Sequence, residues 1–532
     1  MFTRRVFARC AIALLAASGG GQEHQHGKGE ELGAVHFATS CSAEAQKEFD
    51  RAVALLHSFQ FNHAIQGLNA ALKIDRTCGI AHWGIALSQW SNPFAAGMKD
   101  NSQLQAGRES AERGKAAGAK TERERAYIAA VASLYSNFES TPQQARLLAY
   151  RDAMEGLASK YSDDQEAQIF YALALAAAEE PTDKTYAARL KAGAILEKLF
   201  REEPDHPGLA HYIIHTYDVP SLAGKALIAA RRYSDIAPDA PHALHMPSHT
   251  FTRVGYWQNS IDSNRAAAAA SRRVGQTAEE LHASDYQVYA YLQTAQDEAA
   301  RKVLEALPEI ASRFDPRVVV SGAAGPDAGY FALAAIPARY AVRRDWQRAT
   351  ELQPRETPFP YTDAITWFAR GIAAARLHDA AKASVAALQD IRMRLEKAKE
   401  SYWAGQAEIQ RLEVNAWSSL TEGRKDLALT TMKSAAEMED GTDKKAITPG
   451  PLAPARELFG EMLLEINQPT GGGAGGEQGS FGELVPDAEV RSCAGKLEGL
   501  PKKRSAYRSA YQQTKGPIAN RSHSRNRSRV AS

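Results

Sequence analysis

Cysteine is scarce in this chain, at 4 in 532 residues, too few for a fold stapled by disulfides in place of a core. Aromatic residues make up 8%, and runs of Val, Ile and Thr are rare, so a sandwich or barrel of many short strands has little support. No apolar stretch approaches the roughly 20 residues that a helix needs to cross a bilayer, which predicts no stable membrane span. Neither charge sign dominates, with 64 Lys and Arg facing 62 Asp and Glu. From Gln468 to the end, eleven basic residues stand against five acidic ones. That leaves a mildly acidic body, with no electrostatic reason to expect nucleic acid as a partner. A G-x-S-x-G elbow, a Walker loop, a Rossmann glycine motif and a C-x-x-C-H haem site are also missing, which weakens the case for most nucleotide- and haem-based functions.

What the chain does have is a period. His211 and His215 in AHYIIHTYD are followed, 34 residues later in each case, by His245 and His249 in ALHMPSHTF. A 34-residue step is the signature of the tetratricopeptide repeat (TPR), a helical hairpin that stacks into a solenoid. The same small-residue and proline positions recur downstream. Ala226, Ala230, Tyr233 and Pro238 fit one repeat; Phe251, Gly255, Trp257 and Ala267 fit the next. The fold class expected is all-α, a TPR-like right-handed superhelix over residues 40–466.

Within each repeat, positions 4, 7, 8 and 11 of the first helix pack against its partner, and positions 2, 5, 9 and 12 turn toward the concave groove. Repeat starts at Pro207, Pro241 and Leu281 put His211, His245 and Asp285 at position 5, and His215, His249 and Tyr289 at position 9. His242 and His282 fall at position 2, and Asp218 at position 12. Histidines four apart on a helix can grip one metal ion. The expected ligands are therefore His211, His215, His245 and His249, acting as one unit. Asp218, His242, His282, Asp285 and Tyr289 are expected to line the groove or orient the ligands. Imidazole with carboxylate suits a divalent transition metal, Zn, Cu, Fe, Ni or Mn, without choosing among them. Pro247, inside the second histidine helix, removes a backbone donor and predicts a kink. His57, His63 and His82 are assigned to ordinary packing.

The ends differ from the body. Arg4 and Arg5 precede a short apolar run, Ala11 to Ala17, and small residues Ser18 to Gly21, the pattern of an export signal over residues 1–20, secretory or twin-arginine. Residues 21–39 read as a flexible polar segment. An exported, periplasmic or extracellular location follows, and there Cys41 and Cys78, at the starts of consecutive repeats, are expected to form a disulfide; two buried thiols are the alternative. After Leu464 the register stops in QPTGGGAGGEQGSFGE and a Ser- and Arg-rich tail. Residues 467–532 are expected to be disordered and to reflect a frameshift or alternative end.

At LGAVHFATSC, VALLHSFQFNHA, CGIAHWGIALS and HMPSHTFTRVGYW the chain resembles a family of exported bacterial TPR proteins of uncharacterised function, over about residues 32–466. The resemblance implies a TPR-like superhelix and no particular substrate. The leading expectation is an exported binding protein with a metal-binding concave groove that takes a peptide, protein or small-molecule ligand. One alternative is a metal-dependent hydrolase with an acid or base such as Asp285; the other is a metal-free adaptor for protein partners.

Overall fold

The computed structural model describes residues 30–466 apart from 96–98, 181 and 445–446. The expected export signal, residues 21–29 and the basic tail lie outside the described residues. All regular structure among the described residues is helical. The first half runs α1 (Ala43–His57), α2 (Phe61–Ile74), α3 (Ala81–Trp90), α4 (Asn101–Ala117), α5 (Glu122–Ser133), α6 (Gln143–Lys160), α7 (Gln165–Ala177), α8 (Ala187–Glu202), α9 (Pro207–Thr216) and α10 (Leu227–Ile236). It continues through α11 (Pro241–His245), α12 (Pro247–Arg253), α13 (Trp257–Arg273), α14 (Thr277–Gln293), α15 (Asp297–Ser312), α16 (Pro326–Arg344) and α17 (Trp346–Glu351). The last helices are α18 (Pro360–Arg376), α19 (Lys382–Lys397), α20 (Ser401–Thr421), α21 (Lys425–Asp440) and α22 (Ala455–Glu465).

Local chemistry sets the helix starts. Ser42 caps α1 through a 3.3 Å bond from Ala45 N to its Oγ. Thr121 and Glu124 form a reciprocal capping box on α5, which satisfies two end donors at once. Pro207 and Pro241 open α9 and α11, a position where the missing N–H has no partner to lose. Pro247 has the expected effect on the second histidine helix, which divides at Met246 into α11 and α12.

Sequential helices pack as hairpins: α1 on α2, α3 on α4, α5 on α6, α7 on α8, α9 on α10, α11 and α12 on α13, α14 on α15. Further on, α18 packs on α19 and α20 on α21. This is an all-α, TPR-like solenoid. One continuous core runs from Leu32 to Phe251 and takes in Ala323, and others fill the later hairpins. Truncating a fully buried Leu68 or Leu196 to Ala should cost ~2–5 kcal/mol. No helix among the described residues is long and apolar enough to cross a membrane.

The segment before α1 corrects the expectation of flexibility through residue 39. From residue 30 it is anchored, because Phe37 is fully buried with its ring 5.5, 5.1 and 4.9 Å from those of Phe49, Trp83 and Tyr127. Ala34 N donates to Asp205 O at 3.0 Å and Glu31 N to the Asp239 carboxylate at 2.7 Å. Gly33 makes this close approach with φ +83°; a Cβ there would stand 2.7 Å from Asp205 O. Cys41 and Cys78 are joined in a disulfide, Cα atoms 4.8 Å apart, tying the start of α1 to the approach of α3.

Candidate metal centre

Four short stretches of helix bring six imidazoles together. His211 and His215 lie one turn apart on α9, His242 and His245 on α11, His249 on α12 and His282 on α14. Ring centres are 4.9 Å apart for His211 and His215, 5.0 Å for His211 and His242, and 5.7 Å for His242 and His245. His245 continues the chain to His249 at 4.9 Å and to His282 at 4.6 Å. All six are buried, His282 being the most exposed at 7%.

That burial corrects the picture of an open groove. Phe59, in a left-handed conformation (φ +53°) just beyond α1, sets its ring 4.3 Å from His211 and stacks on His242 at 5.7 Å. Such a φ costs a non-glycine residue ~1–3 kcal/mol and persists only where packing holds it. Phe94 stacks on His215 at 4.3 Å, Tyr233 on His211 at 5.2 Å, and Tyr286 stands 5.0 Å from His249. The connection after α21 also reaches in, with Lys444 Nζ 3.4 Å from Asp218 and Thr448 O accepting from Tyr286 at 3.3 Å. The histidines line an interior seam.

Tautomers follow from the partners. The Asn264 amide nitrogen donates to Ser260 O at 2.7 Å, so its oxygen faces His245 and accepts from Nδ1–H at 2.7 Å. His249 Nδ1–H donates to Asp218 Oδ2 at 2.9 Å. Asp218 is held ionised: burial alone would raise its carboxyl, but Lys444 and Arg253 hold it well below its usual range. Both Nε2 atoms therefore carry bare lone pairs, and they face each other 3.0 Å apart. Burial, the largest influence on each, lowers both imidazoles below their ordinary value, which favours neutral rings at this contact. His282 is pulled down to about 3, first by burial, against the opposing charge of Glu279.

A second triad adjoins the first. His211 Nδ1–H donates to the carbonyl of His57 at 2.6 Å. Its Nε2, His215 Nε2 and both nitrogens of His242 are buried without a hydrogen-bond partner. His242 Nδ1 faces Glu279 at 3.7 Å, beyond hydrogen-bond length. Each unmet buried polar atom costs ~1–3 kcal/mol. Donor atoms of His211, His215 and His242 lie within 4.8 Å of one another, and the same holds for His245, His249 and His282.

A third group, His57, Glu166 and His206, has the same compactness but different chemistry. Glu166 accepts from His57 Nε2 at 2.9 Å and from His206 Nε2 at 3.2 Å, and His57 Nδ1 meets Tyr212 Oη at 3.0 Å. Gly208 admits the His57 ring, since a Cβ there would stand 2.4 Å from its Nδ1.

The four histidines expected to act as one unit thus lie in one cluster, but their donor atoms divide between two triads. His242 and His282, expected to line the groove, stand among the donors. Asp218 holds His249 from behind. Asp285 faces away from this chemistry: it is paired with Arg339, Oδ1 to Nε at 2.7 Å and Oδ2 to Nη2 at 3.3 Å, so it is not the free acid or base of the hydrolytic alternative. Tyr289 lies apart too, 6.0 Å from Trp257 and beneath Arg339. Sequence reasoning missed Asn264, Glu279, Glu166 and His206, and took His57 for simple packing. A neighbouring signal existed for His206, which directly precedes the repeat-opening Pro207; the others carry none.

No protein-family model matches the chain, and no curated protein matches it. Among solved structures, it is similar to the human IFIT1 dimer with m7Gppp-AAAA, at 10% identity and TM-score 0.37, over 90% of this chain and 95% of that one. The P58(IPK) TPR domain aligns at 13% identity and TM-score 0.21, over 80% of this chain and 99% of that one.

Proposed function

We propose that this chain is an exported TPR-built binding protein whose buried histidine seam holds a divalent transition-metal ion, with His245, His249 and His282 as ligands. The observation that carries this reading is the 3.0 Å approach of two Nε2 lone pairs whose rings are both fixed with Nδ1–H outward. Two such lone pairs repel unless a cation stands against them. A carboxylate or amide oxygen behind each ring, here Asp218 and Asn264, is the usual support of a metal-bound histidine, fixing its tautomer and raising its basicity. Three imidazoles suit zinc and its neighbours in the first transition row.

Export is supported by the Arg4–Arg5 pattern ahead of a short apolar run and by the Cys41–Cys78 disulfide, a bond that persists in oxidising compartments. Recognition of a peptide by these same histidines loses support, because Phe59, Phe94 and Tyr286 already cover the rings.

The test uses the full chain without a histidine tag, stripped with chelator and then dialysed against Zn(II). Bound zinc is measured by elemental analysis and stability by calorimetry. Zinc should be retained and should raise the melting temperature, since an ion at a thousand times its Kd stabilises by ~4 kcal/mol. His249→Ala should lose that gain. A melting temperature indifferent to zinc and chelator, with no zinc retained, would overturn the reading.

A further inference from the structure

We infer that the seam is a two-ion centre, in which His211, His215 and His242 form a second site beside the one at His245, His249 and His282. The inference rests on the metal reading above for the first ion, and on separate observations for the second. In the second triad, His211 Nε2, His215 Nε2 and both nitrogens of His242 are buried without a hydrogen-bond partner. The tautomer of His211 is set from outside, because its Nδ1–H is taken by the His57 carbonyl at 2.6 Å. A neutral imidazole keeps one unprotonated nitrogen, so each of these three rings can offer one buried lone pair that is a cost in packing and a donor to a cation.

One ion cannot serve all six rings. Two nitrogens on one zinc ion stand at most about 4.2 Å apart, given Zn–N bonds of about 2.1 Å. The donors of each triad lie within 4.8 Å of one another, so ring rotations that close that spacing by up to about 1.4 Å, to the roughly 3.4 Å between tetrahedral ligands, bring each set onto its own ion. Between triads the rings stay neighbours, with centres 5.9 Å apart for His215 and His249 and 5.7 Å for His242 and His245. The two ions would therefore be close enough to feel each other's charge. The carboxylates are distributed to match: Asp218 stands behind His249, and Glu279 lies 3.7 Å from His242. Asp218 is already paired with Arg253 and Lys444, which leaves Glu279 as the buried anion that would offset charge at the second ion.

The partner chemistry is a pair of divalent transition-metal ions, and the probes are Zn(II) for counting and Co(II) for coordination. The full-length chain, His215→Gln and His282→Gln are stripped, reloaded and measured by elemental analysis, with far-UV circular dichroism to confirm the fold. Two ions per wild-type chain are expected, falling to one in each variant. Stepwise Co(II) addition to wild type should give visible absorption that rises in two phases and stops at the second equivalent. This measurement needs no variant to fold.

One ion in wild type, kept by His215→Gln and lost by His282→Gln, would overturn the two-ion centre and leave the single site standing. One ion lost in both variants would mean a shared site, which also overturns it. An ion lost only in His215→Gln would move the metal to the other triad. No metal in wild type removes both readings.

Discussion

Two groups of buried histidine meet at α9, and they accommodate burial in opposite ways. In the first, Glu166 stands between His57 and His206 and accepts from both. Burial alone would raise that carboxyl, but the two imidazoles hold it below its usual range, while burial keeps His57 itself below its ordinary value. An ionised carboxylate accepting from both rings is a nearly closed hydrogen-bond network, with only His206 Nδ1 left over. In the second group six rings face one another; Asp218 binds His249 from the Nδ1 side, and Glu279 stands 3.7 Å from His242 Nδ1 without bonding it. Both groups meet the distance expected of metal ligands. Which lone pairs remain free separates them, so proximity of donor atoms is a weaker indicator of a metal site than the tautomer each ring is forced to adopt.

Acid should have the largest effect on this contrast. His211, His215, His245 and His249 are lowered by burial, and His282 to about 3. A folded value below the unfolded one means that the unfolded chain binds more protons once pH falls through about 6.5. Stability is full above that point and is lost below it, by ~1.4 kcal/mol per pH unit for each such ring. Between about 6.5 and 5.5 the carboxylates of the unfolded chain stay ionised, so the loss there is that of the histidines, opposed by folded Asp363, which is raised to about 6 by burial and takes up a proton in the same range. Metal-free protein should therefore unfold cooperatively before pH 5, read by circular dichroism and denaturant titration. An unchanged midpoint from pH 7 to 5 would mean that the rings are not held neutral.

Glu166→Ala should come next, and should act on one group alone. Removing the anion leaves two buried imidazoles facing a void, at ~3–5 kcal/mol, with zinc content unchanged. Loss of zinc in a folded Glu166→Ala protein would show that the two groups are one system. Asp218→Asn should be the mildest. It keeps an acceptor for His249 Nδ1–H but removes the charge, and zinc affinity should weaken by ~10- to 100-fold, measured by competition with a chromophoric chelator. Unaltered affinity would sever Asp218 from the site.

The 34-residue recurrence made the solenoid legible, because hydrophobic phase and repeat length are local properties of the chain. It also exposed His211, His215, His245 and His249, and helical-face arithmetic added His242 and His282. The division into two triads was hidden, since it depends on how α9, α11, α12 and α14 tilt against one another. Glu166 on α7 and Asn264 on α13 were hidden for the same reason: each meets its histidine across a helix contact that no spacing encodes. The closed seam was hidden too. A stack of hairpins implies a groove, and only the fold places Phe59 and Phe94 over it.

The lid of aromatic rings over His211, His215 and His242 makes access a matter of time as well as affinity. Phe59 and Phe94 cover these rings, so ions and protons reach the buried nitrogens through local opening of the fold. Local openings of this kind run from microseconds to seconds, and deeper ones are as rare as unfolding itself. On the proposed metal reading, a seam closed in this way would fill most readily while the chain is still folding, and the surroundings at that moment would decide what it keeps.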